Sequence, residues 1–186
     1  MPALFLALLT SALALVGAKP AALTARLSRE LGSGAGLFVV CWTTAVATSA
    51  LAGWAGALMA PLMAPPAKAM FVAAALALAA LELLLTRSRA APAEPTRSLG
   101  AMALVLFAGQ ITDAARFFVL ALAVATGAPA LAAMGGALGS GAVLTAAWAL
   151  GGEWERLPLR AIRLASSGAF LIAAVAVALS ARGVIG

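Results

Sequence analysis

The chain has 186 residues, 65% of them hydrophobic and 10% charged, with a mean hydropathy of +1.10 and a net charge of +6. A soluble domain carries about 25% charged residues and leaves roughly 30% of its unfolded-chain surface in water, so this composition excludes a soluble enzyme and assigns an all-α integral membrane protein. The absence of His and Tyr removes imidazole proton relays, His-metal sites and Tyr general acids, and the dispersed basic residues argue against nucleic-acid binding.

A helix needs about 20 apolar residues to cross a bilayer, and six segments qualify. The first covers residues 3–27. It lacks the basic leader of a signal peptide and is expected to stay as a transmembrane helix. Lys19 falls mid-way along it, within the run Val16, Gly17, Ala18, Lys19, Pro20, where Gly17 and Pro20 loosen the helix and free a carbonyl. Arg26, Ser28, Arg29 and the glycine-rich stretch 32–36 close it. The second segment, 37–60, holds Cys41, read as a small buried hydrophobe beside Trp42. Its Thr44, Thr48 and Ser49 sit among small residues, and Ala45, Ser49, Gly53 and Ala57 recur every four residues, a helix-packing pattern.

Residues 61–68 lead to the third segment, 69–85. Glu82, one turn before Arg87, is expected to reach headgroups or that arginine. Residues 87–98 form the longest polar connection. The fourth segment, 100–126, carries Gln110, Asp113 and Arg116 at three-residue spacing, which predicts one shared helical face. Asp113 and Arg116 there admit two readings: a structural ion pair within the helix, or a cation or proton path lined by Asp113 and tuned by Arg116. A turn at 127–129 precedes the fifth segment, 128–151, where Gly135 and Gly139 repeat the small-residue spacing. The charged stretch 153–163, with Glu153 and Glu155 solvated, precedes the sixth, 162–181. Trp42, Trp54, Trp148 and Trp154 read as interfacial anchors.

The first, third and fifth connections hold Arg26, Arg29, Arg87, Arg89, Arg97, Arg156, Arg160 and Arg163, against Lys68 and Arg182 on the other side. The positive-inside rule then places both termini outside the cytoplasm of a bacterial inner membrane. The halves also resemble each other. Pro66, Lys68 and Met70 match Pro158, Arg160 and Ile162, and Trp54 matches Trp148. Three helices per half make the second enter the membrane upside down. The expected architecture is six transmembrane helices in two inverted three-helix repeats, 1–86 and 99–186, joined by a cytoplasmic linker, 87–98.

The charged clusters at Lys19 and Asp113 occupy equivalent places in the halves. There the chain resembles the transmembrane protein 165 family of calcium/manganese–proton antiporters, whose repeats each carry E-x-G-D-K/R-T/S in their first helix. The likeness covers most of the chain and is best over residues 110–123 and at Leu157, Pro158, Leu159 and Arg160. Laid on the motif, the first copy reads Leu15, Gly17, Ala18, Lys19, Pro20. The second reads Gln110, Thr112, Asp113, Ala114, Ala115, with Arg116 where the family often has Gln. Three of four carboxylates are replaced, and a hard divalent ion needs several oxygen ligands, some anionic.

The resemblance implies a multi-pass membrane transport protein of the divalent cation (manganese/calcium)–proton antiporter type, its divalent site lost or altered. Gly17, Lys19, Gln110, Thr112, Asp113 and Arg116 are the ion-pathway candidates, and Asp113 is the one candidate metal ligand. Protons, monovalent ions or small anions fit the local charge better than a divalent ion. The alternative is a non-transporting paralogue acting as an accessory or partner subunit. Beyond the lipid bilayer and a small ion, a homo- or hetero-oligomer is left open, and no cofactor is expected. No nucleophile–base pair suggests an enzyme.

Overall fold

A computed structural model describes residues 1–85 and 98–183, so Arg87, Arg89 and Arg97 of the linker lie outside the described residues. Among the described residues, eight α-helices run in the order α1 (Pro2–Val16), α2 (Lys19–Leu31), α3 (Ala35–Met59), α4 (Pro65–Leu85), α5 (Leu99–Ile111), α6 (Ala114–Thr126), α7 (Pro129–Leu150) and α8 (Leu159–Ala181). Short 3-10 turns extend α3 and α7, and no strand occurs among the described residues. Helices α3, α4, α7 and α8 are each long and apolar enough to cross a membrane. Six spans result if α1 with α2, and α5 with α6, each count as one. This architecture is compatible with a multi-pass membrane protein. Its outward faces carry the large apolar side chains, such as Leu78, Leu81 and Leu84 of α4 and Leu171, Ile172 and Val175 of α8.

The first helix is broken where Gly17 and Pro20 were expected to loosen it, by 62° between α1 and α2, and the fourth, expected to be continuous, is broken by 55° between α5 and α6. Pro20 explains the first break. It has no N–H to donate and its ring crowds the carbonyl four residues back, that of Val16, where α1 ends. Pro20 then sits in the first turn of α2, where a missing N–H is harmless. The second break contains no proline. Asp113 takes an extended backbone (φ −82°, ψ 149°) and caps α6 by accepting from the Ala115 N–H, so a side chain that competes for backbone hydrogen bonds starts a new helix.

The two halves of the chain interleave. Helix α1 packs mainly on α7, α4 on α8, and α3 on α7 and α6. Small residues make these seams close. A Cβ on Gly135 or Gly139 would run into the backbone carbonyls of Leu4 and Leu8, so α1 and α7 touch backbone to backbone. The α3 stripe works as expected at Ala45, Ser49 and Gly53, which are buried, but Ala57 is exposed and Gly56 takes its place against α6.

At one end of the bundle, Arg26 and Arg29 of α2 bond Glu155 at 3.2 and 3.1 Å, and the Ser28 hydroxyl donates to the Trp148 carbonyl at 2.6 Å. The first and fifth connections therefore meet. Trp154, expected as an interfacial anchor, is instead 3% exposed and packs in the core beneath α2, whereas Trp54 is 63% exposed. The wrapping of α2 over the end of α7 buries the indole.

Candidate functional site

The two helix breaks and the ends of α4 and α8 bring ionisable side chains together. The N-terminus of α6 is the centre. Its first free N–H groups are those of Ala114 and Ala115. Each meets a carboxylate: Glu82 Oε2 accepts from Ala114 N at 2.8 Å, and Asp113 Oδ1 accepts from Ala115 N at 3.2 Å. Negative charge is favoured here because the unpaired N–H groups and the helix dipole both point at it. Asp113 is 2% exposed, and its other oxygen, Oδ2, has no hydrogen-bond partner.

Lys19 opens α2 at the other break. It is exposed and lies within electrostatic reach of both Asp113 and Glu82. Gly17, the residue after α1, leaves room for the aliphatic stem of Arg163 from α8, which a Cβ at that position would overlap. Lys19 and Asp113, which occupy equivalent places in the two halves, are thus brought into one electrostatic neighbourhood with Glu82.

Arg116 belongs to a second, deeper layer. Its guanidinium is 3% exposed and donates to Ser49 Oγ of α3 at 2.8 Å and to Gln110 Oε1 of α5 at 2.9 Å. The Gln110 amide in turn donates to Thr44 Oγ1 at 2.7 Å. Three helices are tied by this chain of bonds. The expected face shared by Gln110, Asp113 and Arg116 does not exist, because the spacing argument assumed an unbroken helix. Gln110 closes α5, and Arg116 lies in the first turn of α6. The expected Asp113–Arg116 ion pair is also not formed. The carboxylate turns back to cap its own helix, and the guanidinium reaches across to α3 and α5. The Nε of Arg116 is left without a hydrogen-bond partner.

Thr112 is not drawn into either layer. It is exposed, and its hydroxyl donates back to the Ala108 carbonyl at 3.2 Å. A cavity of about 330 Å³ opens between α3 and the α5/α6 break, with Arg116 and Thr48 among apolar walls that include Leu51, Trp54, Ile111 and Phe117.

The sequence left three contributors unassigned. Glu82 was expected at headgroups or at Arg87, which lies outside the described residues, and α4 delivers its Oε2 to the start of α6. Thr44 and Ser49 were read only as packing residues. Their signal was present, since polar side chains buried in a membrane bundle need partners, but their partners lie 66 and 67 residues away. Among the described residues, no group of three or more His, Cys, Asp or Glu side chains is placed to hold a metal ion, and Asp113 has one carboxylate companion, Glu82. Comparison of the chain with protein-family models, with curated proteins and with solved structures finds no significant match.

Proposed function

We propose that the chain is a membrane transporter built from two inverted three-helix repeats, with Asp113 as the carboxylate that carries a proton or a small monovalent cation across it. The single observation behind this reading is the pairing of two broken helices at one polar cluster. Discontinuous helices at mid-membrane supply the ion and substrate sites of many transporters, because a helix end offers unpaired backbone groups where a continuous helix offers none.

The element boundaries support the repeat. Helix α1 ends at Val16 and α5 at Ile111. Helix α2 runs Lys19–Leu31 and α6 Ala114–Thr126, so all three boundaries recur after 95 residues. Helices α3 and α7, and α4 and α8, begin 94 residues apart. Two of these matched couples, α3 with α7 and α4 with α8, pack against each other, as partners lying on a pseudo-two-fold axis do. The repeats then correspond to 1–86 and 99–186, with the connection between them and both arginine-rich ends on the cytoplasmic side.

Charge argues for the smaller cargo. Two carboxylates, Asp113 and Glu82, share their surroundings with Lys19, and Arg116 lies behind them. A hard divalent ion would have to lose water for few anionic oxygens and meet an ammonium group as well. A proton or monovalent cation asks for less.

A membrane-embedded partner subunit without flux of its own is the second reading. It is favoured by the interlocked Arg116, Ser49, Gln110 and Thr44 network, which fixes α3, α5 and α6 together. Purified protein in liposomes loaded with a pH-sensitive dye separates the two. Proton movement on addition of sodium, potassium, chloride or manganese salts identifies a transporter and its coupled ion. No flux with any of them, together with co-purification of a second membrane protein, identifies the subunit.

A further inference from the structure

Two carboxylates occupy neighbouring N–H groups of a single helix end, and one of their oxygens is buried without a partner. Glu82 comes from α4 and Asp113 from the α5/α6 break, so the bundle, rather than a local sequence motif, places them together. We propose that Glu82 and Asp113 act as one proton-holding pair, retaining a single exchangeable proton between them at neutral pH. This deepens the reading of Asp113 given above and rests on it for the membrane setting.

The chemistry follows from charge and burial. Two like charges held against one helix end in apolar surroundings cannot both ionise cheaply, so the first proton leaves readily and the second is retained. The helix dipole stabilises one negative charge at this place. A bare carboxylate oxygen at Asp113 Oδ2, buried and unpartnered, is costly, whereas a protonated carboxyl carries no charge to desolvate. The charged groups within electrostatic reach of Asp113 are Glu82 of α4, Lys19 of α2 and Arg116 of α6, and Arg163 of α8 lies over Gly17 at the neighbouring break. Among the described residues, neither Lys19 nor Arg116 makes an ion pair with Asp113. Release of the retained proton breaks one O–H bond and passes the proton to water at the exposed Lys19 side of the cluster. Titration then belongs to the pair and not to either residue alone.

Infrared spectroscopy of the full chain in lipid vesicles reads this directly. The wild type is expected to show a protonated-carboxyl carbonyl band worth about one group per chain at neutral pH, shifted in heavy water. Glu82→Gln and Asp113→Asn are each expected to abolish the band, because the helix end, which stabilises one negative charge, offsets the burial of the single carboxylate that remains. Glu82→Asp, which keeps both carboxyls, is expected to retain it, and the amide band in the same spectra reports that each variant stays helical. No protonated carboxyl in the wild type overturns the proposal, as does a band that survives unchanged in Glu82→Gln. The transport reading fails separately. A band with these properties in a protein that moves no ion leaves the pair standing and removes the transporter.

Discussion

Arg116 donates to Gln110 at 2.9 Å across the break between α5 and α6, so the guanidinium ties together two helices that the backbone has let bend apart. Its second bond, to Ser49, anchors both to α3. The break is therefore supported by side chains in place of the backbone bonds that a continuous helix would have made.

Replacing Arg116 tests that support. Arg116→Leu removes two charge-assisted bonds and leaves the Gln110 and Ser49 groups short of a partner. Hydrogen bonds to charged groups contribute about 1.5–3 kcal/mol in soluble proteins, and interhelical bonds in membranes average about 0.6. A loss of roughly 1–3 kcal/mol is expected, seen as a lower midpoint of thermal unfolding in detergent. An unchanged midpoint would show that the network carries no stability.

The α1–α7 seam makes a sharper contrast. Gly139→Ala places a methyl group against the Leu8 carbonyl and must push the helices apart, while Gly168→Ala on α8 meets nothing within 4 Å. Overpacking costs about 1–3 kcal/mol. Thermal unfolding should drop for the first variant and stay level or rise for the second. Equal midpoints would contradict the backbone-to-backbone contact.

Orientation is open to labelling, because Cys41 is the single cysteine and Cys41→Ala provides a background without thiols. Single cysteines at Glu153, in the arginine-rich connection, and at Ala64, between α3 and α4, should behave oppositely in intact cells. A membrane-impermeant maleimide is expected to label the Ala64 site and spare the Glu153 site. Labelling of both, or the reverse pattern, would refute the inverted arrangement with outside termini.

Much of the bundle was legible because its causes are local. Apolar run length located α3, α7 and α8 closely, and Gly17 with Pro20 marked the first break. The first turn of α4 was less visible, since Pro65 and Pro66 signal a loop as readily as they start a helix. The second break was hidden because Asp113 ends one helix by capping the next, and a capping residue inside an apolar run looks like a buried charge on a continuous helix. Glu82 was hidden for another reason. Its partner, the Ala114 N–H, is a backbone group and leaves no trace in side-chain pattern.

Lys19 separates structure from function. It is exposed, and surface substitutions away from packing features usually change stability by no more than about 0.5 kcal/mol. Lys19→Gln should therefore unfold like the wild type. Removing the nearby positive charge disfavours ionised carboxylates, so the pH dependence of flux should move to higher pH. An unaltered profile would place Lys19 outside the pathway.

Asp113 carries the central claim, and the initial rate of ion-driven proton flux in liposomes tests it most directly. Asp113→Asn keeps an N-capping side chain at the start of α6 and removes only the exchangeable proton and the charge. The flux should fall by about tenfold or more while the unfolding midpoint stays close to that of the wild type. An Asp113→Asn protein that carries protons, or manganese, as fast as the wild type would contradict the account.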